Sequence, residues 1–140
     1  MDIKFIYKVT NVHWILFSLL SIVLASLSWL IPSLIFGYVI GASVSYLLFE
    51  LRILLSTKIL TSKQSAYAYS MLNWVLALTL VSLVLALIFA INYFALGFDH
   101  IVSGPVNVFS FSFALINVKV AIILAHLWKN KRKEAHGSIR

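Results

Sequence analysis

A long stretch without charge constrains this chain more than any other feature. No Asp, Glu, Lys or Arg occurs between Lys8 and Glu50, and Pro32 alone breaks the apolar character of the stretch. About 18 consecutive apolar residues are enough to cross a bilayer as a helix. A soluble domain could not bury so much apolar surface, so the sequence predicts an integral membrane protein.

The composition supports this prediction and excludes several kinds of site. Hydrophobic residues make up 62% of the 140 residues and charged residues 11%, whereas an ordinary globular domain is about 25% charged. The chain contains no cysteine. A disulfide framework, a thiolate nucleophile and a cysteine metal site are therefore excluded.

Four membrane-spanning helices are expected, because lipid offers no partner for free backbone groups. The predicted spans run from about Val12 to Leu30, Ser33 to Leu55, Tyr69 to Phe94 and Pro105 to Trp128. Short turn-like connections join the first span to the second and the third to the fourth. We therefore expect an all-α fold of two hairpins in a single domain, residues 1–140, with a basic tail at 129–140.

The basic residues predict the orientation of these spans. Every Lys and Arg except Lys119 falls before the first span, around the connection between the second and third spans, or after the fourth span. The other two connections carry Asp99 and His100 but no Lys or Arg. By the positive-inside rule, both termini should be cytoplasmic in a multi-pass protein of the cell membrane.

The first span could also be a cleaved signal peptide. A basic start, an apolar stretch and the small-residue pattern at Val23–Ala25 fit that alternative. The apolar run continues well past Ala25. We therefore expect this segment to be a retained anchor.

Small residues recur every fourth position along the second span, at Gly37, Gly41 and Ser45. This spacing forms a smooth stripe on which another helix can approach closely. Two occupants are open: a helix of the same bundle or the helix of a partner protein. A weaker stripe of Ser82, Ala86 and Ala90 lies on the third span.

Two ionisable residues lie within predicted spans, Glu50 in the second and Lys119 in the fourth. Charges in a bilayer are costly and usually face a partner, a cavity or the bundle interior. The depths of the two residues, counted along their helices, predict an intramembrane charge pair. Such a pair could be structural or functional.

The tail residues Lys129, Lys131, Arg132 and Lys133 are expected to attract anionic lipid at the cytoplasmic surface. His13, His126 and His136 occur singly, without the spacing of a helical metal site. We therefore expect them at interfaces or in solvent, with no metal and no cofactor.

Catalytic motifs are missing from the sequence. It contains no HExxH, no paired intramembrane aspartates and no glycine-rich phosphate loop. We expect no enzymatic activity. A secondary-transport role has little support either, because no span shows the broken-helix signature of a transporter.

The segment from Phe36 to Arg52 resembles one known family. Gly37, Gly41, Ser45, Phe49 and Arg52 match the G-x-x-x-G-small pattern, with its downstream aromatic and basic residues, that is common in bacterial ATP synthase protein I. The start of the third span departs from some relatives, since Tyr69 and Trp74 stand in a region that is basic in them.

This resemblance implies an assembly factor for the membrane sector of the F-type ATP synthase, with subunit c or another membrane-sector subunit as partner. It also leaves open a role in divalent-cation transport. Two other functions remain alternatives: a small ion-conducting or holin-like pore, and a membrane subunit of a transporter. Abundant large aromatic residues argue against a wide aqueous pore.

Overall fold

The computed structural model describes the backbone of residues 3–29, 31–58, 63–97 and 102–137, and the side chains of residues 3–29, 31–56, 67–97 and 102–128. Over these ranges the chain forms helices and no strands, so the predicted all-α fold is confirmed. The helices are α1 (Ile3–Leu27), α2 (Ser33–Lys58), α3 (Lys63–Leu96), α4 (Val108–Ala114) and α5 (Asn117–Gly137).

Four helical segments of the described chain are long and apolar enough to cross a membrane. They are Ile3–Leu27, Ser33–Ser56, Tyr67–Leu96 and Val108–Trp128, the last of which comprises α4 and part of α5. Their number and order match the four predicted spans, and they indicate a multi-pass membrane protein.

Two helices begin earlier than the sequence predicts. α1 begins at Ile3 instead of about Val12, and α3 begins at Lys63 instead of about Tyr69. Hydropathy locates the start of an apolar stretch, whereas helical hydrogen bonds continue through polar residues. Lys and Gln are good helix formers, so the helices extend past the apolar boundary.

The connection between α3 and α4 has a defined stop and a defined start. Gly97 ends α3 with a φ of 81°, a conformation that favours glycine, and its N–H donates to the Tyr93 carbonyl at 2.9 Å. Asn107 caps α4, because its side-chain oxygen accepts a hydrogen bond from the Ser110 N–H at 3.1 Å. The cap places the helix start at Val108 instead of about Pro105.

The bundle has two distinguishable ends. At the basic end, the Lys8 ammonium lies 5.5 Å from the ring centre of Trp128, which brings the start of α1 beside α5. At the opposite end, the Asn107 N–H donates to the Ser33 carbonyl at 3.1 Å. α2 and α4 therefore start at the same end and run in the same direction.

The core consists of three apolar clusters that share α2. One joins α1, α2 and α5 towards the basic end, the second joins α1, α2 and α4, and the third joins α2, α3 and α4. Their buried members are Val9, Val12, Phe49, Val118, Ala121 and Ala125 in the first, Tyr38, Ala42 and Ala114 in the second, and Ile88, Val106 and Phe111 in the third.

α4 lies directly against the stripe of Gly37 and Gly41. A Cβ atom at Gly37 would collide with the Asn107 carbonyl oxygen, and one at Gly41 with the Phe111 carbonyl oxygen and, at 2.8 Å, the Ala114 Cβ. Glycine is therefore needed at both positions, since only a helix without side chains there admits another backbone so closely. Of the two open occupants, the structure places the chain's own α4 on this stripe.

α3 is the peripheral helix. Its inward side carries the buried Ile88 and Asn92, and the Asn92 side chain holds Val106 by two hydrogen bonds, one to its carbonyl at 2.8 Å and one from its N–H at 3.0 Å. Ser82, Ala86 and Ala90 are exposed, and at 100° per residue they lie on the side opposite Ile88. The two small-residue stripes therefore do not pack against each other.

We predict that Gly41→Ala lowers the unfolding free energy of the bundle by about 1–3 kcal/mol, because the added methyl group meets the backbone of α4, which cannot rotate away as a side chain can. The measurement is the unfolding midpoint in detergent. Val39→Ile adds one methyl group at an exposed position of the same helix, and it should leave the midpoint unchanged. Equal midpoints for the two variants would contradict the close approach of α2 and α4.

Candidate functional site

The fourth apolar segment is broken in its interior. α4 ends at Ala114 and α5 begins at Asn117, while Leu115 and Ile116 between them form a turn in which the Ile116 N–H bonds to the Phe113 carbonyl at 3.1 Å. The prediction of one continuous helix from about Pro105 to Trp128 is wrong.

Ser45 of α2 provides the physical reason for the break. Its hydroxyl donates to the Leu115 carbonyl at 2.8 Å and accepts from the Val118 N–H at 3.4 Å. A side chain that enters the ladder of helical hydrogen bonds interrupts it and satisfies the groups that it frees. No proline or glycine lies near the break in sequence, and the side chain that bonds to the backbone there is Ser45 of another helix.

His13 lies beside this break, inside the bundle. It is 1% exposed, and its Nδ1 atom is 3.4 Å from the Asn117 Nδ2 atom. Its ring stacks on the Tyr46 ring, with centres 5.1 Å apart. The prediction that His13 is interfacial or solvated is therefore wrong, because a face of α1 that looks apolar in sequence turns this residue towards α2 and α5. His126 is exposed, as expected.

A second polar contact continues this cluster along α2. The Tyr46 hydroxyl donates to the Glu50 Oε1 atom at 2.8 Å, one helical turn further on. Asn117, His13, Tyr46 and Glu50 therefore form a continuous row of polar side chains between α1, α2 and α5, joined by hydrogen bonds and one ring contact. Sequence reasoning missed His13 and Tyr46, since each looks like an isolated residue in an apolar run.

The predicted pair of Glu50 and Lys119 is not formed, and no ion pair joins these two described side chains. Glu50 lies on the α1 side of α2, whereas Lys119 is exposed and lines a groove with Phe49 and Arg52 on the α5 side. Equal depth along two helices does not fix how each helix is rotated about its axis. Glu50 is about 100° around the helix from Phe49, so equal depth does not bring its carboxylate to Lys119.

Glu50 and His13 line a pocket of about 270 Å³ between α1 and α2. The pocket wall is mostly aromatic, and Glu50 is its acidic group. Its full lining is His13, Trp14, Phe17, Ser43, Tyr46, Leu47 and Glu50.

The remaining predicted residues are not tested by the structure. The side chains of Lys129, Lys131, Arg132 and Lys133, and residues Asp99 and His100, lie outside the described residues. Across the described part of the chain, no three His, Cys, Asp or Glu residues group in a way that could hold a metal ion.

Comparison with known proteins gives no relative from which the role of the site can be inferred. No protein-family model, no curated protein and no solved structure matches the chain. The contacts of the described residues and the resemblance in the second span are therefore the features that bear on function.

We predict that Ser45→Ala lowers the unfolding free energy by roughly 1–2 kcal/mol, because the Leu115 carbonyl and the Val118 N–H lose their partner. Ser43→Ala is the matched control, since the Ser43 hydroxyl bonds at 2.8 Å only to Val39 of its own helix. It should change stability by less than about 0.5 kcal/mol. Denaturant titration in mixed micelles measures both, and an equal effect of the two changes would contradict the role of Ser45.

Proposed function

We propose that this chain is a non-enzymatic membrane protein that assists assembly of the membrane sector of an F-type ATP synthase, with α3 as its docking helix. The observation that carries the proposal is the outward stripe of Ser82, Ala86 and Ala90, which faces away from α2. Membrane helices associate through small residues that allow close backbone approach, so this stripe is suited to receive another helix.

The stripe on α2 is less suited to a partner than the sequence alone indicated. A partner helix could reach Gly37 and Gly41 only by displacing α4, whose backbone already fills that surface. We therefore propose the exposed face of α3, and not the stripe on α2, as the partner surface. α3 is well placed for this, because the helix packs on the rest of the bundle along one side only.

The identity of the partner rests on the resemblance of the segment from Phe36 to Arg52 to ATP synthase protein I. Subunit c is a hairpin of two apolar helices, so its outer surface can meet α3 within the bilayer. A pore through one copy has less support, because large side chains such as Tyr38, Ile88 and Phe111 fill the interior of the described bundle.

The proposed orientation places both termini in the cytoplasm, with the chain inserted as two hairpins in the cell membrane. Its support is the distribution of Lys and Arg, which avoids the two connections at the opposite end. Reporter fusions after Arg140 and after His100 test it. We expect cytoplasmic activity from the first and external activity from the second, and the reverse pattern would contradict the model.

The functional test uses the exposed face of α3. Ala86→Leu should push a docked helix away and reduce both capture of subunit c in mild detergent and the amount of intact c ring in membranes, roughly to the level of a deletion strain. Ile91→Phe enlarges an exposed side chain about 140° around α3 from Ala86. It should leave assembly unchanged.

Normal abundance and stability of both variants must be established first, and the exposure of Ala86 makes this a realistic requirement. If a stable Ala86→Leu protein and the deletion both leave ring assembly untouched, the assembly proposal is wrong. If Ala86→Leu abolishes only self-association, the stripe serves a second copy of this chain and not subunit c.

A further inference from the structure

The Glu50 carboxylate lies within an apolar helix, and its contacts among the described residues offset only part of the free-energy cost of that position. Its one hydrogen-bond partner among the described residues is the Tyr46 hydroxyl. Arg52 and Lys119 line the groove on the other side of α2, and no Lys or Arg in the described part of the chain forms an ion pair with Glu50. An ionised carboxylate inside a membrane segment is costly, and a positively charged partner would offset that cost.

The wall around this carboxylate is made of aromatic rings. The Trp14 ring centre lies 5.6 Å from that of Phe17 and 5.6 Å from that of Tyr46, with interplanar angles of 82° and 51°. Ring faces attract cations through their quadrupoles, and several faces around one site recognise alkylated ammonium groups. The Tyr46 ring stacks on His13 with one face, and the rings and the carboxylate that line the pocket together favour a positively charged ligand.

A divalent metal ion is a poor fit for this pocket. Divalent cations need several oxygen or nitrogen ligands, and no group of three candidate metal ligands occurs in the described residues. An organic cation needs no such ligand set and gains from the apolar wall.

We propose that the pocket between α1 and α2 binds an amphipathic organic cation, with its ammonium-type head between Glu50 and the aromatic rings. The volume of about 270 Å³ suits a small head group and not a whole drug-sized molecule. Trp14 and Leu47 on the pocket lining are 50% and 47% exposed, so an apolar tail can lie along them in the bilayer. The site lies away from α3 and does not depend on the proposed assembly function.

The test is binding of benzyltrimethylammonium to the purified full chain in non-ionic detergent, measured by calorimetry and by tryptophan fluorescence. Its uncharged isostere neopentylbenzene has the same shape. We expect the cation to bind at least tenfold more tightly than the isostere, and Glu50→Gln to remove that preference. Glu134→Gln makes the same charge change in the tail and should bind the cation like the unaltered chain.

Tyr46→Leu supplies a second variant, because it removes a ring without removing the charge. It should weaken cation binding severalfold, and its fluorescence response should still come from Trp14, as a Trp14→Phe control can establish. Should Glu50→Gln fail to fold, the comparison of cation and isostere on the unaltered chain still decides the question.

Three results would overturn the proposal: no binding of benzyltrimethylammonium, equal binding of the neutral isostere, or unchanged binding by folded Glu50→Gln. Competition then identifies the source of a bound cation. Displacement by lysophosphatidylcholine but not by lysophosphatidylglycerol assigns the site to a lipid head group. Retention of the probe against both lipids assigns it to a free amphipathic cation.

Discussion

The close approach of α4 to α2 at Gly37 and Gly41 is the contact on which the rest of the bundle depends. With no side chain at either position, the backbone of α4 lies against α2 closely enough that an added Cβ would strike carbonyl oxygens. That separation brings the Ser45 hydroxyl, one turn further along α2, within reach of the Leu115 carbonyl and the Val118 N–H. The break in the fourth segment and the placement of Asn117 beside His13 follow from it.

α2 separates two sides of the bundle that differ in the charge of their side chains. Ser45 and Phe49 face α5, where Arg52 and Lys119 line an exposed groove. Tyr46 and Glu50, each one residue further along and about 100° around the helix, face α1 and meet His13 and the aromatic rings. The Glu50 carboxylate and the exposed side chains of Arg52 and Lys119 thus lie on different sides of α2 and are not paired, so a ligand can take the place of a counter-ion beside Glu50.

The same packing leaves α3 in contact with the rest of the bundle along one side. Asn92 fixes it to Val106 by two hydrogen bonds, and its far side presents small residues outward. The two proposed activities therefore occupy separate parts of the molecule: a docking surface on α3 and a cation pocket between α1 and α2. Changes at Ala86 and at Glu50 are at independent positions, so their effects can be measured without mutual interference.

The sequence by itself indicated a multi-pass membrane protein, since an uncharged apolar stretch of this length is long enough to cross a bilayer as a helix. It also determined the number and order of the long helices, because hydropathy is a local property summed along the chain. It located the helix-packing stripe at Gly37 and Gly41, but the tertiary structure alone decided that α4 occupies it. The burial of His13, the break at Leu115 and the separation of Glu50 from Lys119 were likewise decided by tertiary structure. Each depends on how one helix is rotated about its axis relative to its neighbours. In a chain this uniformly apolar, the hydrophobic pattern does not indicate which face of a helix points inward.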